Sequence, residues 1–159
     1  MKKGLLYLLL AAAIVGALIA PVKREISETY FCNILDTDDE SFQATVRVVF
    51  TGTYYDNLVR KDRFVGRIDI PGYDFIPASA SDLDLEVGRF GSYSLDHMLY
   101  FAGDELCCPG TFQATEDLDS FILRLYYPNE SGVGAHGRYF LCYPEMTLDE
   151  IYACMDLAN

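Results

Sequence analysis

Residues 42–50, FQATVRVVF, decide the fold. Ala44, Val46, Val48 and Phe50 occupy alternate positions with Thr45, Arg47 and Val49 between them, which is the period-two pattern of a half-buried strand enriched in β-branched residues. The pattern recurs further along the chain. In residues 63–70, RFVGRIDI, Phe64, Gly66, Ile68 and Ile70 share one face, while Arg63, Arg67 and Asp69 share the other, Val65 being the exception. Pro71-Gly72 then marks a turn. Further strands are expected at 83–90, 94–101, 121–127 and 138–143, separated by turn-forming clusters at 78–82 (ASASD), 108–110 (CPG) and 128–132 (PNESG). This predicts a mainly β domain, an antiparallel β-sandwich or barrel-like sheet of about six to eight strands. Gly52 and Gly66 lie inside strands, so a bulge or a close backbone approach is expected at each, with Phe64 and Tyr73 as core anchors.

The end of the chain changes period. Thr147-Leu-Asp-Glu150 fits a capping box, in which the threonine oxygen accepts a backbone N–H and the glutamate reaches back to the start of the helix. Leu148, Ile151, Tyr152 and Met155 follow at i, i+3, i+4 and i+7, predicting a short amphipathic C-terminal helix packed on the sheet.

At the other end, residues 4–22 (GLLYLLLAAAIVGALIAPV) carry no charge and are flanked by Lys2, Lys3, Lys23 and Arg24. Nineteen residues make roughly 28 Å of helix, close to the thickness of a bilayer's hydrocarbon core and longer than the usual apolar region of a signal peptide. A cut after Ala20 is poor, with Leu18 at −3 and Pro21 at +1, while a cut after Ala17, with Val15 at −3, is tolerable. The N-terminal hydrophobic helix therefore reads as an uncleaved membrane anchor, with a removed signal peptide as the alternative. Lys3-Gly4 has the look of a type IV pilin processing site, but Leu9 stands where such proteins carry glutamate. The domain organisation expected is an anchor or signal at 1–24, a juxtamembrane connector at 25–41 and a β-rich globular domain at 42–159. The single-pass topology expected places that domain outside the cytoplasm.

The chain has 24 acidic and 12 basic side chains. Four of the bases flank the apolar run, so residues 25–159 hold eight bases against all 24 acids, a net charge of −16. A field of that sign repels phosphate backbones, and a nucleic-acid partner is excluded on this ground. The stretch from Asp56 to Arg63 is the one basic island, and Arg60, Lys61 and Arg63 are its candidate partner contacts. An acidic partner or a headgroup layer would use them; a charged hairpin loop is the plainer explanation.

Chemistry-bearing residues are sparse. Five cysteines (Cys32, Cys107, Cys108, Cys142 and Cys154) with one adjacent pair do not form the even pattern of a disulfide framework, although Cys142 and Cys154 are a conceivable pair. Cys107-Cys108, with Cys142, His97 or His136, offers soft ligands, but the paired C-x2-C spacing of a zinc site is missing. Cys108 and His136 are the candidate catalytic pair of a thiol-dependent or metal-binding enzyme, without a surrounding nucleophile motif. Asp96 and His97 are strand neighbours pointing to opposite faces, so the carboxylate cannot orient the imidazole. Asp36, Asp38 and Glu40 are candidate calcium ligands, yet Ser41 and Arg47 stand where an EF-hand needs glycine and a bidentate acid. No cofactor is implied. Asn129-Glu-Ser131 is a formal glycosylation sequon. Exposed tyrosines would serve a carbohydrate-binding sheet, but the chain has no tryptophan.

Residues 51–56 (TGTYYD) and 63–73 (RFVGRIDIPGY) together resemble a pattern in small exported proteins of Gram-positive gut bacteria, in which a G-T-Y strand end precedes an F-x-G-x-I-x-I-x-G-Y strand and turn. The resemblance implies an extracytoplasmic, β-rich domain and brings no activity or site residues with it. Together with the charge and the apolar segment, it points to a membrane-anchored extracytoplasmic domain that binds or scaffolds another envelope component without catalysis.

Overall fold

The computed structural model describes Tyr7, Gly16 and residues 20–39, 43–58, 60–72, 76–88, 92–126 and 137–157. Among the described residues are ten strands and a C-terminal α-helix: β1 (Val22–Asp36), β2 (Gln43–Asp56), β3 (Asp62–Asp69), β4 (Leu83–Val87), β5 (Ser94–His97), β6 (Tyr100–Ala102), β7 (Glu105–Cys107), β8 (Gly110–Ala114), β9 (Phe121–Tyr126), β10 (Gly137–Tyr143) and α1 (Leu148–Leu157). Eight strands form one antiparallel sheet in the order β4-β3-β2-β1-β10-β9-β8-β5, and β6 pairs with β7 as a separate hairpin.

Of the two expected architectures, sandwich or barrel-like sheet, the chain adopts the barrel-like one. A sandwich needs two sheets, whereas here a single ladder runs through all eight strands and curls until its edges meet. At that seam β4 and β5 share no ladder. Asp96 instead accepts the Glu86 N–H at 2.8 Å through Oδ2, and the Gly88 N–H donates to the Ala114 carbonyl at 2.9 Å. The barrel is nearly closed, with a side chain fastening its last gap.

Most of the alternating residues expected to face the core do so, although Ala44 is exposed and Val46 half-buried, and Tyr73, expected as a core anchor, lies outside the described residues. Val48, Phe50 and Tyr54 on β2, Phe64 and Ile68 on β3, and Leu83, Leu85 and Val87 on β4 are buried. Rings fill the interior: Phe50 lies 5.5 Å from Phe64, 5.0 Å from Phe121 and 6.2 Å from Phe112, centroid to centroid, mostly edge-on, the arrangement aromatic quadrupoles favour. An eight-stranded barrel is just wide enough for side chains to fill it, and these do.

Gly52 and Gly66 stand directly opposite one another on β2 and β3. A Cβ on Gly52 would lie 2.3 Å from the Val65 carbonyl oxygen and 2.6 Å from the Gly66 Cα, so only glycine lets the two backbones approach this closely. The close approach expected from the sequence is present.

Residues 25–41, expected as a connector, are mostly strand. β1 pairs with β2 continuously from Val22↔Asp56 to Leu35↔Gln43, and with β10 from Asn33 to Asp36. Its first half has a partner on one side only and keeps its charges in solvent, which is why it reads as a linker. The strand at Gly110–Ala114 was hidden for another reason: Cys108-Pro-Gly110 carries a turn signal, yet all five residues behind it are buried.

Outside the barrel, α1 covers Leu35, Ile122, Phe140 and Cys142 with Ile151. Thr147 Oγ1 accepts the Glu150 N–H at 3.3 Å and Glu150 Oε2 accepts the Thr147 N–H at 2.8 Å, forming the expected capping box. Tyr152 departs from the expected apolar face and is exposed, its ring edge-on to Phe140 at 6.0 Å. The expected N-terminal hydrophobic helix falls almost wholly outside the described residues. Among the described residues no helix is long and apolar enough to cross a membrane.

Candidate functional site

Strand pairing gives the barrel two distinct ends. Val22 pairs with Asp56, the turn after β2 leads into Asp62, and Asp62 pairs with Val87, so the start of β1, the β2–β3 turn and the end of β4 share one rim. The β6–β7 hairpin lies at the other end, where the Phe101 N–H donates to Ser81 Oγ at 2.9 Å, just ahead of β4.

Asn57 and Asp62 build the turn at the rim. The Asn57 side-chain amide donates to the Tyr55 and Lys61 carbonyls at 3.0 and 3.1 Å, and its backbone N–H donates to Asp62 Oδ1 at 2.8 Å. Both residues are buried, and they fix the loop from which Arg60 and Lys61 project. Lys61 reaches Glu86 Oε2 at 2.7 Å, and Arg63 holds Asp84 through two parallel donors, its Nε at 2.9 Å. The Asp84 carboxylate raises the Arg63 pKa above its ordinary value. These pairs are half exposed, so each contributes between about 0 and 1 kcal/mol.

Lys23 on β1, Tyr55 on β2 and Arg63 on β3 stand in one cross-strand row on the outer face. The Lys23 ammonium is 5.4 Å from the Tyr55 ring centroid. Around this row lies a cleft of about 410 Å³ lined by Pro21, Lys23, Tyr55, Asn57, Arg60 and Arg63, with no acid among its described lining residues. A second cleft of about 590 Å³ shares Asn57, Arg60 and Arg63 and adds Lys61, Asp84 and Glu86. The three sequence-expected contacts, Arg60, Lys61 and Arg63, are thus brought together. Lys23, whose charge reads from sequence as an anchor flank, joins them through strand register alone.

Facing inward at the same rim, the Tyr54 hydroxyl donates to Asp62 Oδ2 at 3.0 Å and accepts the Asp117 N–H at 2.9 Å. Burial raises the Tyr54 pKa well above its ordinary value. Arg24 lies over the Tyr54 ring at 5.3 Å and bonds Asp117 at 2.7 Å. The 3-10 turn Glu116–Leu118 carries this contact, with Asp117 and Leu118 both at positive φ (58° and 60°) and Leu118 buried in the core. Two consecutive left-handed non-glycine residues are costly, and they are held by the Tyr54 bond and the burial of Leu118.

Among the described residues the remaining candidates do not come together. Cys107 packs against the core, whereas Cys108 is exposed, its thiol donating to the Gly110 carbonyl at 3.4 Å. His136, its expected catalytic partner, lies outside the described residues. All five cysteines are free thiols, including Cys142 and Cys154. Burial pushes Cys32 up to about 12 and raises Cys142 as well. Asp36 is buried and its Oδ1 accepts the Asp38 N–H at 2.9 Å, closing the end of β1, while Glu40 lies outside the described residues. Asp96 accepts backbone N–H groups of Glu86 and His97, so it fastens the seam. Among the described residues no group of three or more His, Cys, Asp or Glu side chains could hold a metal ion.

Sequence reasoning missed the hairpin at the far end. Phe101 and Leu106 are cross-strand partners on β6 and β7, exposed by 54% and 56%, with Leu99 exposed beside them. Gly103, at φ 66°, makes the tight turn between the two strands. An uninterrupted apolar run in a β-rich sequence reads as core, and only the fold shows it turned outward.

No family model matches the chain, and neither a curated protein nor a solved structure matches it.

Proposed function

We propose that this protein is a membrane-tethered, extracytoplasmic domain that acts by binding or scaffolding another envelope component, not by catalysis. The observation that carries the reading is the hairpin of β6 and β7, which holds Phe101 and Leu106 in solvent at the end of the barrel away from the start of β1. Large apolar side chains clustered on a surface hairpin favour a partner surface. The interior is not available to a ligand, because Phe50, Phe64, Phe112 and Phe121 already fill it. Binding therefore happens on the outside, with an apolar contact at the hairpin and polar contacts elsewhere. The apolar segment at 4–22 supports the tether, since its length matches a bilayer.

The test is site-specific photocrosslinking of the full chain in cells, with the photoreactive residue at position 101 and, as control, at exposed position 145. A discrete adduct at 101 that disappears in Leu106→Ser is expected. Equal, diffuse labelling at both positions would contradict the reading, as would full release of the unmodified chain from membranes by alkaline carbonate.

A further inference from the structure

We infer that the basic rim of the barrel is an interfacial seat for the anionic headgroups of the membrane that the chain's own apolar segment enters. The inference rests on the tethered reading above and names the partner of the rim clefts.

Three independent observations converge on that rim. The first is distance along the chain. β1 begins at Val22, the last residue of the uncharged run, so on the tethered reading no spacer separates the apolar segment from the barrel. A connector at 25–41 would have let the domain swing free; a strand that starts at the boundary holds the rim within one or two residues of the headgroup layer. The second is chemistry. Val22 is 67% exposed and Leu58, in the β2–β3 turn, is 63% exposed, and both lie at this end. Tyr55 stands beside them, an amphipathic ring of the kind enriched at membrane–water boundaries. Exposed aliphatic side chains and a tyrosine beside a few cations are what a bilayer interface accommodates.

The third is charge. Lys23, Arg60 and Arg63 line a cleft free of acids among its described residues, on a domain (residues 22–159) whose ten bases and 24 acids leave a net charge of −14. An acidic domain is repelled overall by an anionic leaflet, and the acid-free cleft is the part of this rim suited to approach it. Asp84 and Glu86 accompany Arg63 and Lys61 in the neighbouring cleft, and Asp56 and Asp117 also lie at this end. Their presence, with Arg63 already bonded to Asp84, limits the attraction to the Lys23–Arg60 side. Each lysine or arginine near an anionic surface strengthens contact by about fivefold at moderate salt, and less as salt rises. With the rim occupied by lipid, the hairpin of Phe101 and Leu106 points away from the membrane, toward a partner.

The chain has no tryptophan, so a single one reports cleanly. The experiment uses the full chain in vesicles of phosphatidylcholine alone or with about a third phosphatidylglycerol, carrying Leu58→Trp or, as a far-end control, Leu106→Trp, with headgroup-proximal nitroxide lipid as quencher. Expected are quenching at position 58 several-fold above that at position 106, a further increase with phosphatidylglycerol that high salt reverses, and at least a threefold loss in Lys23→Glu/Arg60→Glu. The neutral pair Lys23→Gln/Arg60→Gln should fall between, and the thermal transition reports that each variant is folded. Carbonate-resistant association should be unchanged throughout. Equal quenching at both positions in a carbonate-resistant chain overturns the seat and leaves the clefts to an acidic protein. Indifference to phosphatidylglycerol and to charge reversal overturns it too. Release of the wild-type chain by carbonate instead removes the tether, and the seat falls with its premise.

Discussion

Tyr54 and Tyr55 are neighbours on β2 and face opposite ways, and the molecule divides along that line. Tyr54 is buried, its hydroxyl tied to Asp62 and to the Asp117 N–H, with Arg24 over its ring. Tyr55 faces outward between Lys23 and Arg63, where the nearest charges are exposed. The first belongs to an interior packed with side chains, the second to an open rim that can exchange its contacts. The difference separates stability from binding: substitutions on the inward side should change folding, and those on the outward side should change what the rim touches.

The sharpest way to break the inward side is Gly52→Val. The new Cβ would meet the backbone of Val65 and Gly66, which no side-chain adjustment relieves. Loss of the cooperative thermal transition is expected, and a variant that melts like the parent would show the β2–β3 approach to be unimportant. Next comes Tyr54→Phe, which removes a donor from buried Asp62 and leaves the Asp117 N–H without its acceptor. A cost of about 1–3 kcal/mol in urea unfolding is expected. Tyr55→Phe should leave the midpoint unchanged, and equal effects of the two would erase the contrast.

Alkaline pH acts on the interior through Cys32 and Tyr54. Cys32 is pushed up to about 12 from an ordinary 9.0 by burial, and its folded pKa is therefore the higher one. The unfolded thiol loses its proton first, so stability holds below about pH 9 and falls as the pH rises toward 12. Tyr30 and Tyr54, also raised by burial, act in the same direction. Urea midpoints should be flat from pH 7 to 9 and decline above, less steeply in Cys32→Val; an unchanged slope in that variant would place the titration elsewhere. The smallest effect belongs to the rim. Lys61→Ala or Arg63→Ala should shift stability by less than about 1 kcal/mol, since the pairs with Glu86 and Asp84 are half exposed. A larger loss would make those pairs part of the framework.

Much of the inward side was legible in the sequence. The alternation of Val46, Val48 and Phe50, the strand glycines Gly52 and Gly66, and the Thr147–Glu150 box each state a local rule that the fold keeps. What escaped depends on partners distant in sequence. Val22–Asp36 carries its charges on a half-paired strand and so looks like a linker, and barrel closure depends on Asp96 reaching the Glu86 N–H. The outward side was legible only in part. Arg60, Lys61 and Arg63 stood out as a basic island, but Lys23 joins them only because β1 sets it opposite Tyr55, and Phe101 and Leu106 look like core until the hairpin turns them out.

The central claim is that the rim, and not the hairpin, meets the membrane. Hydrogen exchange of the full chain, compared between anionic nanodiscs and detergent micelles, tests it most directly. Exchange in residues 57–63 should slow in nanodiscs while residues 99–108 stay the same. Slowing at 99–108 with no change at 57–63 would contradict it.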